Sequence, residues 1–418
     1  MGELSDAGQR PPHLPQEITI TTGPRLEKTK FERGDQAELT AMHPLALKFA
    51  QAHEVTSFFK TNQPARQLIG EQTEGETVCE GVRVKKISWG KEWYKTKDRP
   101  PEQRDSPQPF DAPRVVYKTS LQRDGKRENV YLKVFLGNTE TQENIARFLE
   151  SESRQGNKAI PESAVTKVDD AVILVQKEAP GRQLRDKFED LKDAGDAETA
   201  QEHLKKIAQW LAEFQRSNSG VDNLPPSDIQ AESNDFNRYV RTIQALLPQD
   251  SASHEAFGQL EQFMPVLKEA ANNRTGTDYP SHNGFRPGHI YITDDPEDVA
   301  LIDWDRAVKG SPAKDVAVFM NELGYMRLGH IDGVDLREFF LDQYKSHSAL
   351  DIDASLDIYS IFARLQNDKE LKTAQGTERT LAFVNEKIGS LRDNLRDDLD
   401  EETLQQIDTF QELLGQSS

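Results

Sequence analysis

The chain of 418 residues holds one cysteine, Cys79, so neither an internal disulfide nor a cysteine-based zinc site is open to it. That agrees with a reducing compartment, and the plain role for such a thiol is half-buried packing. No stretch approaches the ~18 consecutive apolar residues of a membrane span. The first residues, MGELSDAGQRPPHLPQE, lack the basic-then-apolar order of an export signal. A soluble cytoplasmic protein with no membrane partner is expected. Positive charge is scarce as well: 52 Lys and Arg face 71 Asp and Glu, leaving a net charge of −19. Such a surface is repelled by phosphate backbones, so nucleic acid is not an expected partner. Hydrophobic residues make up only 35%, yet they recur at regular spacings, which fits flexible arms around a folded body.

The length leaves room for two or three structural units. Residues 1–16 are polar and contain proline, and they read as a flexible arm. Residues 17–80 read as an N-terminal extension with one helix, because Leu45, Leu47, Phe49, Ala50 and Val55 fall at helical spacing. From Val82 the period drops to two, through residues 82–84, 114–119 and 129–135, which predicts an antiparallel meander. Residues 97–113 interrupt it with five prolines and many charges, and read as a long exposed loop. A helix from Glu140 and a strand over 171–175 follow, so 81–178 forms a small β-rich lobe. Residues 179–418 are patterned mainly as helices around one hairpin, whose strands fall at 290–292 and 299–302. The predicted class is α+β, with a small antiparallel β lobe and a large helical lobe.

Chemistry concentrates in residues 281–315. A loop with His282, Gly284, Pro287 and His289 leads into the hairpin, and Asp303 and Asp305 follow an apolar strand directly. A carboxylate at a strand end beside a polar loop is a common holder of Mg²⁺ against phosphate oxygens.

This stretch resembles the catalytic segment of the aminoglycoside phosphotransferase and choline kinase families, relatives of the protein kinases. His282, Pro287 and Gly288 match their catalytic loop, Ile302-Asp303-Trp304 matches fully, and residues 310–317 match the following helix start with Ser311 in place of an Asp. Upstream, Tyr131-Leu132-Lys133-Val134 resembles the strand bearing the phosphate-binding lysine. Residues 172–182 resemble the last strand, hinge and Pro-Gly-Arg turn around adenine. The likeness covers roughly residues 80–365. It implies a two-lobed protein-kinase-like fold that binds ATP. It also implies that Lys133 holds the α- and β-phosphates, that Glu143 orients that lysine, and that backbone groups of Gln176, Lys177, Glu178 and Ala179 bond adenine. Asp303 would then bind the bridging metal, and Asp315 would anchor the loop.

The departures decide the functional expectation. Gly284 stands where the catalytic Asp belongs, and His289 where the Mg²⁺-binding Asn belongs. General-base assistance is worth about 10² to 10⁴ in rate, so its loss slows transfer without removing nucleotide binding. Magnesium wants hard oxygens while imidazole suits softer ions such as Mn²⁺ or Zn²⁺, so weak or altered metal binding is expected, with Mg²⁺ or Mn²⁺ as the cation and Asp303 and His289 as its ligands. Arg286 is placed to contact a phosphate bidentately. The expectation is a pseudokinase that binds ATP, with a small molecule or a protein as its other partner. The alternative is an active kinase for the hydroxyl of a cationic or amino-sugar-like substrate, using unorthodox metal chemistry.

Overall fold

The computed structural model describes residues 18–20, 29–31, 44–69, 77–88, 113–123, 126–136, 139–366 and 374–415. The expected arm at 1–16, the turn candidate Trp89-Gly90-Lys91 and the proline-rich insert, apart from Pro113, lie outside the described residues. The chain divides into two compact units, Met1–Arg154 with Glu162–Glu178, and Gln155–Pro161 with Ala179–Ser418.

The first unit corrects one expectation. Where a single helix was expected before residue 80, there are a short antiparallel pair, β1 (Ile18–Ile20) and β2 (Thr29–Phe31), and three helices, α1 (Pro44–Phe49), α2 (Ala52–Thr61) and α3 (Gln63–Leu68). The breaks are local. Gln51 and Asn62 have extended backbones, and the Asn62 side chain accepts the Ala65 N–H at 3.1 Å, just ahead of a proline in the first turn of α3. Apolar spacing runs through both breaks, so the sequence pattern looks continuous.

Five strands follow: β3 (Val78–Ser88), β4 (Arg114–Arg123), β5 (Lys126–Phe135), β6 (Ser163–Val168) and β7 (Ala171–Lys177). They form one antiparallel sheet in the order β3-β4-β5-β7-β6. Period-two alternation sends Val130, Leu132 and Val134 of β5 and Ala171, Ile173 and Val175 of β7 into one core with Ala46, Phe49, Val55 and Phe59 of the helices. The residues between them, Tyr131, Lys133, Leu174 and Gln176, therefore lie on the opposite face. Helix α4 (Glu140–Arg154) joins β5 to β6 and buries Ile145, Ala146, Phe148 and Leu149.

The second unit starts with β8 (Arg182–Gln183), α5 (Leu184–Ala194), α6 (Ala197–Ser217), α7 (Ile229–Gln244) and α8 (Ala252–Thr275). Asp196 caps α6 by accepting the Thr199 N–H at 3.0 Å. Strands β9 (Tyr279–Ser281) and β12 (Val308–Gly310) pair with each other. Between them in sequence, β10 (Ile290–Ile292) pairs with both β11 (Val299–Leu301) and β8. The short segment Gln155–Pro161 is stitched to this unit: Leu301 N–H donates to the Ala159 carbonyl at 2.7 Å, and the Trp210 indole donates to Asn157 at 3.2 Å. Helices α9 (Ala313–Tyr325), α10 (Leu336–His347), α11 (Asp353–Leu365), α12 (Ala374–Leu395) and α13 (Glu401–Gly415) complete it. Phe236, Phe257, Phe263, Ile358, Ile388 and Phe410 belong to one core among α7, α8, α11, α12 and α13. The predicted class stands: α+β, with a small antiparallel β lobe and a larger helical one.

Candidate functional site

The candidate residues fall into two groups, one in each unit. In the β unit, Lys133 stands mid-strand on β5, paired in register with Val116 and Leu174, and only 8% exposed. Glu143 corrects an expectation. Its carboxylate pairs with Arg147 one turn along α4 and with Lys167 on β6, so it is not arranged as the partner of Lys133. The Lys167 ammonium, helped by Arg147, holds that carboxyl below its ordinary range.

At the end of β7, the buried Gln176 side chain donates to Ser163 Oγ at 3.1 Å. Two of the backbone donors expected for adenine are engaged: Lys177 N–H donates to the Glu162 carbonyl at 3.0 Å and Glu178 N–H to that of Asn129 at 3.1 Å. The Lys177 ammonium lies 2.9 Å from Glu162 and 3.3 Å from Glu128. Glu178 gathers Lys118, Asn129 at 2.7 Å and Tyr131 at 3.4 Å. Partial burial pushes its carboxyl up, but Lys118 and Asn129 outweigh that and hold it below the usual range. The sequence offers no local sign of this cluster, which needs β4, β5 and β7 in register.

In the helical unit, the loop between β9 and β10 is tied down at its first two residues. Asp315, in the first turn of α9, accepts the His282 N–H at 2.7 Å and the Asn283 N–H at 3.0 Å. Burial pushes its carboxyl up to about 6 against the pull of these donors. Asn283 N–H also lies 3.2 Å from Ser281 Oγ, and Asn283 has φ of 55°. The His282 ring is buried and its Nε2 sits 2.9 Å from the Ile302 carbonyl, which can only accept, so that nitrogen carries the proton. Edge-to-face and tilted rings adjoin it: His282 meets Trp304 edge-on at 4.6 Å between centroids, Trp304 meets Phe214 edge-on at 5.5 Å, and Phe285 is tilted against Phe319 at 5.3 Å. Trp304 and Phe285 are buried and serve packing. The His282 ring thus ties the loop to the end of the hairpin.

The outer part of the loop holds the replaced positions. Gly284 has no left-handed backbone, and a Cβ built there would meet only the His282 ring, at 3.5 Å and beyond. Its carbonyl accepts from His289 Nδ1 at 2.8 Å. His289 Nε2 stands 3.6 Å from Asp303 Oδ2, and the His289 carbonyl accepts the Ile302 N–H at 2.9 Å. Asp303 has φ of 66°, a region that Asp tolerates better than most residues. Arg286 lies 3.5 Å from Glu322 of α9, a partner not visible in the local sequence. No group of three or more His, Cys, Asp or Glu side chains able to hold a metal occurs among the described residues. Asp303 offers the hard oxygen that Mg²⁺ favours, whereas His289 offers nitrogen where an amide oxygen was expected, so the pair does not fit Mg²⁺ as the family's usual set does.

The turn before β8 has a different character. Gly181 has φ of 82°, and a Cβ there would fall 2.1 Å from the Ile292 carbonyl oxygen. Only glycine fits, which locks the Pro-Gly-Arg turn against β10.

The model of the phosphotransferase enzyme family matches residues 130–356, more than half of the chain. The chain belongs to that family. Among solved structures, this phosphotransferase-family chain is similar to the GDP complex of an aminoglycoside 2'-phosphotransferase-IIIa, at 12% identity over 84% of this chain and 100% of that one, with a TM-score of 0.44. It is also similar to a choline kinase from Cryptosporidium parvum Iowa II, at 12% identity over 87% and 100%, with a TM-score of 0.47. A Plasmodium vivax ethanolamine kinase is 16% identical over 66% and 77%, with a TM-score of 0.39. No curated protein sequence matches the chain. Among the described residues, no helix of this family member is long and apolar enough to cross a membrane.

Proposed function

We propose that this chain is a phosphotransferase-family pseudokinase that binds ATP and transfers phosphoryl groups little or not at all. The observation that carries the reading is the contrast inside residues 281–289. The loop is anchored through both backbone donors on Asp315, yet Gly284 brings no carboxylate where a substrate hydroxyl would need one. The space at the Cβ does not explain the glycine, since a Cβ would meet only ordinary contacts there.

In this reading Lys133 neutralises phosphate oxygens, Asp303 takes the nucleotide-bound cation, and Arg286 leaves Glu322 for a phosphate. His289 stands at the second cation position. Adenine is bonded by backbone groups between Gln176 and Ala179 that the sheet has not already engaged. The Asp303 conformation favours a second reading, an active small-molecule kinase, because a strained backbone is kept where a carboxylate has work to do.

One experiment separates the two. ATP binding is titrated by calorimetry in the native chain and in Lys133→Ala, and ATP consumption is then followed in the native chain and in Gly284→Asp with His289→Asn. The pseudokinase reading expects binding weakened at least about tenfold by Lys133→Ala, with turnover only in the double variant. Native turnover abolished by Asp303→Ala would establish the active kinase instead.

A further inference from the structure

We infer that His289 changes which cation this chain accepts, so that the His289–Asp303 pair takes Zn²⁺ in preference to Mg²⁺ when nucleotide is bound. The inference rests on the nucleotide-binding reading above. Its basis is the state of the imidazole. A carbonyl oxygen only accepts, so the 2.8 Å contact with the Gly284 carbonyl places the ring proton on His289 Nδ1. In the neutral ring the lone pair is then on Nε2, the nitrogen nearer Asp303. Histidines that ligate metals are set up in this way, one nitrogen donating to a carbonyl while the other faces the ion.

Distance and backbone agree with that assignment. The 3.6 Å between His289 Nε2 and Asp303 Oδ2 is too long for a hydrogen bond. Two donor atoms each about 2.1 Å from a shared ion stand about 3.4 Å apart at a tetrahedral angle, and about 3 Å apart at the right angle of an octahedron. The observed spacing lies nearer the tetrahedral value. The Ile302 N–H bonded to the His289 carbonyl at 2.9 Å sets the two residues side by side, and the left-handed turn at Asp303 follows immediately. Mg²⁺ sheds water reluctantly and seeks oxygen, as Mn²⁺ does, whereas imidazole nitrogen suits Zn²⁺. Two protein ligands leave positions for phosphate oxygens, which is why nucleotide is part of the inference.

The test is calorimetric titration of the full chain with ATP in the presence of Mg²⁺, Mn²⁺, Zn²⁺ or a chelator, for the native protein and His289→Asn. The expected result is ATP binding about tenfold tighter with Zn²⁺ than with Mg²⁺ or Mn²⁺ in the native chain, and tightest with Mg²⁺ in His289→Asn. Because that variant also loses the bond to Gly284, the native chain is examined separately with Co²⁺ and ATP. Intense visible bands of a nitrogen-ligated, near-tetrahedral ion are expected, and weak octahedral bands would overturn the inference. Equal affinity with Mg²⁺ and Zn²⁺, an unchanged preference in His289→Asn, or ATP binding indifferent to every cation would also overturn it while leaving nucleotide binding intact. Absence of ATP binding in every arm, chelator included, would instead overturn the reading on which it rests.

Discussion

Two glycines of the helical unit sit in turns beside the same hairpin and answer to different constraints. At Gly181 the backbone is left-handed and the Ile292 carbonyl occupies the place of a side chain, so the residue is dictated by geometry. At Gly284 the backbone is ordinary and a Cβ would have room, so geometry dictates nothing. The first glycine is a condition of the fold. The second is not, and in the proposed reading it leaves a loop anchored on Asp315 without the carboxylate that catalysis would use.

The comparison is most severely tested by Gly181→Ala. Overlap with backbone at a left-handed position is expected to cost about 4 kcal/mol, or to unfold the helical unit, as read by chemical denaturation. Next comes Asp315→Ala, which strands the buried His282 N–H at the loop base and leaves the Asn283 N–H only Ser281 Oγ, and which is expected to cost about 2 kcal/mol at neutral pH.

The same residue gives a pH signature. Because the folded Asp315 carboxyl is raised to about 6 from 3.8, its favourable contribution is complete below about pH 4 and is lost as pH rises through 6. The stability gap between the native chain and Asp315→Ala should therefore narrow across that window, by about 2 to 3 kcal/mol. Denaturation midpoints at several pH values check this, and a gap that widens with pH would contradict the assignment.

Gly284→Asp should change stability by less than about 1 kcal/mol, visible as a melting temperature shifted by only a few degrees. A collapse of the fold in that variant would erase the distinction between the two glycines. Smallest of all is Arg286→Ala: its half-exposed ion pair with Glu322 is expected to contribute below about 1 kcal/mol. The loss of stability should be near the limit of measurement.

Where periodicity governs, the sequence was readable. Alternation along β5 and β7 marks one face for the core and the other for Lys133, and the Ile302-Asp303-Trp304 run marks the end of the hairpin. What escaped reading depends on pairings between distant segments. Glu143 meets Lys167 only because α4 packs beside β6, and Glu178 meets Lys118 and Tyr131 only once three strands are in register. The donors at Lys177 and Glu178 are engaged by carbonyls from β5 and from the residue before β6. The three helices over 44–68 share one apolar stripe, so the kinks at Gln51 and Asn62 leave no gap in the pattern. At the loop, residue types disclosed which groups were missing, but not the turn of His289 onto the Gly284 carbonyl.

The stitching of Gln155–Pro161 to the helical unit has a consequence for biogenesis. This short stretch leaves the ribosome well before Leu301, whose N–H its Ala159 carbonyl accepts. The β unit can close its sheet as soon as β7 has been made, whereas the stretch between α4 and β6 has Trp210 early and lacks its other partner until the hairpin is made. Closing so long a loop carries an entropic cost that rises only slowly with its length, but it defers assembly of the helical unit until most of the chain has been synthesised. Truncations that end before α6 should therefore yield a folded sheet with a dangling connector, exposed to proteases at 155–161, and those that end between α6 and β11 one held only through Asn157.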